Sequence, residues 1–156
     1  MENSKSQVEL LAKFLDYHKT GTIFVSGKTD TGKTTFLKDV LEKLDGNKKI
    51  LFASTSNSNE IDIKDNYITH RLEKSEFKKI YEDSIRYFVD YLVLDDLNFD
   101  DDTIEFINKC SEHTNVVCAF HNNKEGFRKQ LVKLKNIKGA FNLNVQRQDY
   151  VPSIKQ

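Results

Sequence analysis

Apolar positions along this chain follow two rhythms that take turns. Compact apolar runs at 22–26, 49–54, 90–96 and 115–120 are bounded by polar or glycine residues, as strands buried on both faces are. A short strand is also expected within 66–72, and the alternation over 141–147 predicts a last one. Between these runs the apolar spacing widens to that of helices. Over 6–18 it places Val8, Leu11, Phe14, Leu15 and His18 on one face, and a helix of good formers is expected over 36–44, opened by Lys33 and Thr34. Residues 75–88 read as a helix capped by Ser75, with Phe77, Ile80, Tyr81, Ser84 and Tyr87 or Phe88 facing inward. Two further helices are expected at 102–112 and 124–135.

Strands alternating with helices of this length predict an α/β fold, a mainly parallel sheet in a three-layer α/β/α arrangement. The 156 residues are expected to form a single domain, with an N-terminal helix in 1–20, a core in 21–147 and a tail in 148–156. Twenty-four basic and 24 acidic side chains cancel, so bulk charge implies neither nucleic acid nor membrane. The distribution is uneven, since residues 124–156 carry eight basic and two acidic side chains. That basic part could contact nucleic acid or another polyanion, or form a solvated face. Cys110 and Cys118 are too few for a disulfide framework and lack metal-ligand company. No apolar run reaches membrane-spanning length and the polar start resembles no signal peptide, which leads to the expectation of a cytoplasmic protein.

The chemistry concentrates where the first strand ends. Gly27, Lys28, Thr29, Asp30, Thr31, Gly32, Lys33, Thr34 and Thr35 fit the pattern G-x-x-x-x-G-K-[ST] between a strand and a helix. Successive loop N–H groups in such a segment form a nest for a β-phosphate, and the helix N-terminus adds partial positive charge. Lys33 is expected to reach the β- and γ-phosphates of ATP or GTP, and the Thr34 hydroxyl to bind Mg²⁺. Leu92, Val93 and Leu94 followed by Asp95 and Asp96 have the form of a Walker B strand, in which one acid holds Mg²⁺ through water and the next can orient an attacking water. His121, closing the next strand, could sense the γ-phosphate or simply cap the strand. His18, His70 and His113 show no partner in the sequence.

These motifs resemble the nucleotide-binding core of the secretion and pilus-motor ATPases, the family of type II and type IV secretion and of pilus extension or retraction. Gly21 stands six residues before Gly27, as a glycine does in that family, and Gly32 to Thr35 repeat its Gly-Lys-Thr-Thr. Phe77, the pair Ile85 and Arg86, and Asp90 fall at the offsets of its Phe, Leu-Arg and Asp before Walker B, and His121 stands 25 residues after Asp96, at the histidine-box distance. The resemblance covers roughly 10–135. It implies a RecA-like P-loop NTPase core with ATP and Mg²⁺, in which Asp96 takes the position of the Walker B Glu and His121 that of the histidine box. It also implies a catalytic part for Arg86 and Arg71, facing nucleotide or a neighbouring subunit, and a hexameric ring with a protein partner.

The chain departs from that family at informative places. Asp30 stands where the family has Gly and Lys28 where it usually has Pro, so a carboxylate enters the phosphate nest. The acidic box after the second strand falls on Ser54, Thr55 and Ser56, with Glu60 the nearest acid, and no counterpart of the family's N-terminal domain is expected. Three functions fit the residues. One is an ATPase, slowed by these changes and resembling a secretion motor. Another is a nucleotide-binding regulatory or assembly module without turnover. The third is a DNA-linked ATPase like the helicase loaders and transposition helpers, whose Walker B commonly ends Asp-Asp-Leu, as Asp95, Asp96 and Leu97 do; only nine residues follow Arg147, few for the helical lid of that group.

Overall fold

The computed structural model describes residues 2–17, 19–27, 33–44, 47–54, 66–97, 100–121, 127–142 and 154–155. In chain order they form α1 (Glu2–Tyr17), β1 (Gly21–Gly27), α2 (Lys33–Lys43), β2 (Ile50–Ser54) and β3 (Tyr67–Arg71). A 3₁₀ turn (Lys74–Glu76) leads into α3 (Phe77–Arg86), followed by β4 (Tyr91–Leu97), α4 (Asp101–Ser111), β5 (Asn115–His121), α5 (Phe127–Leu131), β6 (Ile137–Asn142) and β7 (Ile154–Lys155). The strands pair in the order β3-β2-β4-β5-β1-β6-β7. All pairs from β3 to β6 are parallel, and only β7 runs antiparallel, against β6.

The central strands are buried at successive positions, and their residues alternate between two cores. Ile23, Val25, Ile50, Phe52, Tyr91, Val93, Val117 and Ala119 face one core, which they share with Val8, Leu11 and Leu15 of α1 and with Phe36, Leu37, Val40 and Leu41 of α2. Phe24, Leu51, Ala53, Leu92, Leu94, Val116 and Cys118 face the other, with Ile80 of α3 and with Ile104, Phe106, Ile107 and Cys110 of α4. The period of two and the absence of a solvated strand face are what a parallel sheet covered on both sides requires. Three layers result, a RecA-like α/β/α fold. Burial also pushes the Cys110 thiol up to about 12 and raises that of Cys118. Among the described residues no helix is long and apolar enough to cross a membrane.

Several element ends differ from the sequence expectation. Ser75 does not cap the helix. The chain enters α3 through the 3₁₀ turn, where the Glu76 N–H donates to Glu73 O (2.9 Å) and the Phe77 N–H to Lys74 O, so backbone carbonyls replace a hydroxyl. Tyr87 and Phe88 do not face inward. They are 43 % and 81 % exposed, and Val89 is buried in their place. The cause is a Schellman closure, with Phe88 N–H to Ile85 O (3.2 Å), Val89 N–H to Ser84 O (3.0 Å) and Phe88 itself at φ 52°. Asp83 is buried on the inner face instead, 2.8 Å from Nε2 of His70 on β3, a histidine that thus has a partner after all.

Toward the C-terminal side, the helix expected over 124–135 ends at Leu131, and its first residues lie outside the described ones. The strand expected at 141–147 starts earlier, at Ile137, after a left-handed turn at Asn136 (φ 58°), and 143–147 lie outside the described residues, as does His18. The expected tail contributes β7. Gly21 opens β1 at φ 129°, where an added Cβ would come within 3.0 Å of Asn136 O, so this turn requires glycine.

A phenylalanine held in the left-handed region costs about 1–2 kcal/mol over its ordinary backbone. Phe88→Gly is therefore expected to raise stability by about 1 kcal/mol, read as a higher urea midpoint with an unchanged slope. A lowered midpoint would show that the exposed ring stabilises the corner.

Candidate functional site

Parallel pairing brings every carboxyl end from β1 to β6 to one margin of the sheet, where ligands of such folds sit. The register spells out the row. Arg71 of β3 pairs with Ser54 of β2, Ser54 with Asp95 of β4, and His121 of β5 with Gly27 of β1, while Asn142 of β6 pairs with Ser26. β5 thus lies between the strand that leads to Lys33 and the strand that carries the two acids. At about 4.8 Å per strand, the backbones of β1 and β4 are about 10 Å apart.

The acids sit at an irregularity. β5 advances two residues from Cys118 to Phe120 while β4 advances three from Leu94 to Leu97, so Asp95 and Asp96 occupy a bulge toward β5. On the β2 side the ladder remains regular through Ser54 and Asp95. Alternation then assigns Asp95 to the face of Tyr91 and Val93, the face that α2 covers, and it is 4 % exposed there. α2 begins at Lys33, so Lys33 and Thr34 form its first turn at the same margin, and the side chain of Thr35 is exposed. Lys28, Thr29, Asp30, Thr31 and Gly32 lie outside the described residues. For Asp96 and His121 the structure gives the backbone position: Asp96 within the bulge and His121 beside Gly27.

The two arginines are not brought to this cluster. Arg71 ends β3, four strands or about 19 Å from β1, and its Nε is 2.6 Å from Glu73 Oε1 with both side chains exposed. Arg86 closes α3 five residues before β4 starts at Tyr91, at the amino ends of the strands and hence at the opposite pole from Asp95. Within one chain neither reaches the row at Gly27; only a second molecule could bring them there.

Acids just beyond β4 hold the margin together. Asp100 caps α4 by accepting from the Thr103 N–H (3.0 Å), and its other oxygen takes Lys74 Nζ at 2.8 Å. Lys74 also reaches Asp102 at 3.4 Å, so the segment after β3 is fastened to the segment after β4. Burial alone would raise the Asp100 pKa, but the Lys74 ammonium and the Thr103 N–H outweigh it and hold the carboxyl below its ordinary value. Asp101 is lowered likewise by Lys133 and Gln130. The sequence carried a signal for this cap, three acids in a row before an apolar helical pattern, although the expected helix started one residue late. Among the described residues no group of three or more His, Cys, Asp or Glu could by itself hold a metal ion.

The sequence pattern of the family described as "GvpD gas vesicle protein, P-loop domain" matches residues 11–155. The chain belongs to this GvpD P-loop domain family. No curated protein matches it. Solved structures that share its fold include the following three. The VirB11 ATPase of the Brucella suis type IV secretion system superposes at TM-score 0.67 and 13 % identity, over 99 % of this chain and 54 % of that one. The pilus retraction motor PilT with bound ADP gives 0.61 at 18 % identity, over 85 % and 44 %. The Legionella pneumophila ATPase DotB gives 0.60 at 15 % identity, over 86 % and 43 %. The chain therefore has the secretion-ATPase-like P-loop core fold and spans about half the length of these proteins or less.

Asp100→Ala is expected to cost about 1 kcal/mol through the lost cap, measured by urea unfolding, whereas Asp100→Asn keeps the cap and loses only the pairing with Lys74. Because the folded-state pKa of Asp100 lies below its unfolded value of about 3.9, the advantage of Asp over Asn is complete above that pH and fades as pH falls through the folded value. An Asp-to-Asn difference that is constant across this range would separate Asp100 from Lys74.

Proposed function

We propose that the protein binds a nucleoside triphosphate with Mg²⁺ at the carboxyl margin of its sheet. The observation that supports this most is the order β4-β5-β1, which sets the buried Asp95 and the first turn of α2 on one face of the sheet, one strand apart. In this reading Gly27 to Thr35 wrap the phosphates, Lys33 neutralises the β- and γ-oxygens, and the Thr34 hydroxyl and Asp95 hold the ion, Asp95 through a bound water. A buried carboxylate at the end of β4 fits Mg²⁺, which keeps several waters and needs only one or two protein acids besides phosphate. The ion supplies charge neutralisation between the phosphates. His121, next to Gly27, stands where a γ-phosphate would be sensed.

Hydrolysis is the finer part of the proposal. Asp96 would orient the water, and Arg71 or Arg86 would act only from a neighbouring molecule in a ring, given their distance from Gly27. Against rapid turnover stands Ser54, the residue paired with Asp95, where an acid would otherwise sit beside the metal carboxylate. That observation favours the second reading, a regulatory or assembly module that binds nucleotide and turns it over slowly or not at all. The DNA-linked ATPase gains no such support from the described residues.

Calorimetry with Mg-ATP and Mg-GTP tests the binding step. Saturable, Mg²⁺-dependent binding that Lys33→Ala abolishes is expected, and its absence in the unmodified protein overturns the reading. Asp30→Gly is expected to tighten binding by removing a like charge from the phosphate nest, and an unchanged dissociation constant would place that carboxylate away from the ligand.

Phosphate release across a protein-concentration series then separates motor from module. A rate per chain that rises with concentration and falls with Asp96→Asn supports the ring ATPase. Binding without release at any concentration supports the regulatory module.

A further inference from the structure

The sheet ends differently at its two sides. At one side β7 pairs with Ala140 and Phe141, so residues 154–155 of the chain itself cover β6. At the other side stands β3, and no described strand lies beyond it. Parallel pairing with β2 uses only every second residue of β3. Asn66 O accepts from the Ile50 N–H (3.0 Å) and the Leu72 N–H donates to Ser54 O (2.9 Å), so the backbone groups of Asn66, Ile68, His70 and Leu72 turn inward, toward β2. Tyr67, Thr69 and Arg71 therefore aim three N–H and three C=O groups outward, and among the described residues nothing pairs with them.

An edge of this kind is normally blunted by proline, by lysine, by a bulge or by great shortness. β3 carries none of these devices. Its five residues are an ordinary strand length, they keep an unbroken register with β2, and Tyr67, Ile68 and Thr69 all favour strands. Its one arginine comes last.

We propose that β3 is a pairing edge for a second copy of this chain, which adds its own β3 antiparallel about a two-fold axis through Thr69. The outward groups are self-complementary in that arrangement. Thr69 faces the partner's Thr69, while Tyr67 and Arg71 face the partner's Arg71 and the partner's Tyr67. Each facing pair exchanges two hydrogen bonds, so three pairs satisfy all six groups. Charge selects the same register. Arg71, whose Nε keeps Glu73 at 2.6 Å, comes opposite the partner's Tyr67, cation against aromatic ring, and the residue that meets itself on the axis is a neutral, exposed threonine. Moving the axis to Arg71 would set two guanidinium groups face to face. Because like edge meets like edge, the assembly closes at two copies. None of this depends on the nucleotide reading.

Sedimentation velocity over a concentration series, without nucleotide, tests the pairing. The unmodified chain is expected to pass from monomer to dimer as concentration rises. Thr69→Lys, which sets two ammonium groups against each other on the axis, is expected to stay monomeric throughout. Since the Thr69 side chain is exposed, this variant is expected to keep the circular dichroism spectrum and melting temperature of the dilute unmodified chain, which separates lost pairing from lost folding. Register is read with single added cysteines and a short bismaleimide, the native Cys110 and Cys118 being buried. Thr69→Cys is expected to link into covalent dimers, its two Cα atoms lying about 5.5 Å apart across the axis. Arg71→Cys, about 13 Å from its counterpart, is expected to stay unlinked. An unmodified chain that is monomeric at every concentration, a dimer that survives Thr69→Lys, or linking of Arg71→Cys as readily as of Thr69→Cys overturns the proposal.

Discussion

Parallel pairing of six strands is the constraint on which the rest of this molecule depends. A parallel ladder forces each connection to return along a face of the sheet, so helices must cover both sides and the strands must be apolar on both. The alternation of Ile50, Leu51, Phe52 and Ala53 between two separate cores is the direct expression of that demand. The same geometry sends every carboxyl end to one margin, so Gly27, Ser54, Asp95 and His121, far apart in sequence, become one row. Inserting β5 between β1 and β4 adds the spacing an ion and phosphate would need between the loop and the acid.

Two local departures from regularity sharpen that margin. The bulge at Asp95 and Asp96 interrupts the β4–β5 ladder between Leu94 and Leu97 while β2 keeps its register through Asp95, so Asp95 stays fixed on the α2 face. Just past it, Lys74 gathers Asp100 and Asp102, which neutralises acids beyond β4 and ties two returning connections to each other. Surface pairs of this kind contribute little to stability singly. Here the shared lysine sets geometry, because the capped end of α4 follows directly from the strand that holds the acids.

Much of this was legible in the sequence because the central strands are uninterrupted apolar runs and the helices between them carry clear 3.6-residue stripes. The order of elements, the parallel sheet, the layers and the placement of the loop before α2 all follow from those local patterns. What escaped is non-local or depends on backbone detail. Phe88 looks like one more inward aromatic on α3, and only the Schellman closure turns it out and Val89 in. Asp83 looks like a solvent-facing acid until His70, 13 residues away on β3, is folded against it. Gly139 blurs the pattern of β6, so that strand was expected too late, and β7 is too short to show any period. For the site, spacing located Asp95, Asp96 and His121 at strand ends, whereas the remoteness of Arg71 and Arg86 from Gly27 required the strand order.

The two cysteines give the molecule an internal witness of its own integrity. Cys118 lies in the central strand β5 and Cys110 on the helix packed over it, both sealed from water and both shifted away from thiolate. Only the thiolate reacts with electrophiles and oxidants, so chemical labelling must wait until the middle of the sheet opens. Fraying at the margins or rearrangement of the loops leaves these sulfurs silent. Labelling kinetics at Cys118 would thus time the opening of the strand that separates the phosphate loop from the acid pair, independently of anything bound at its rim.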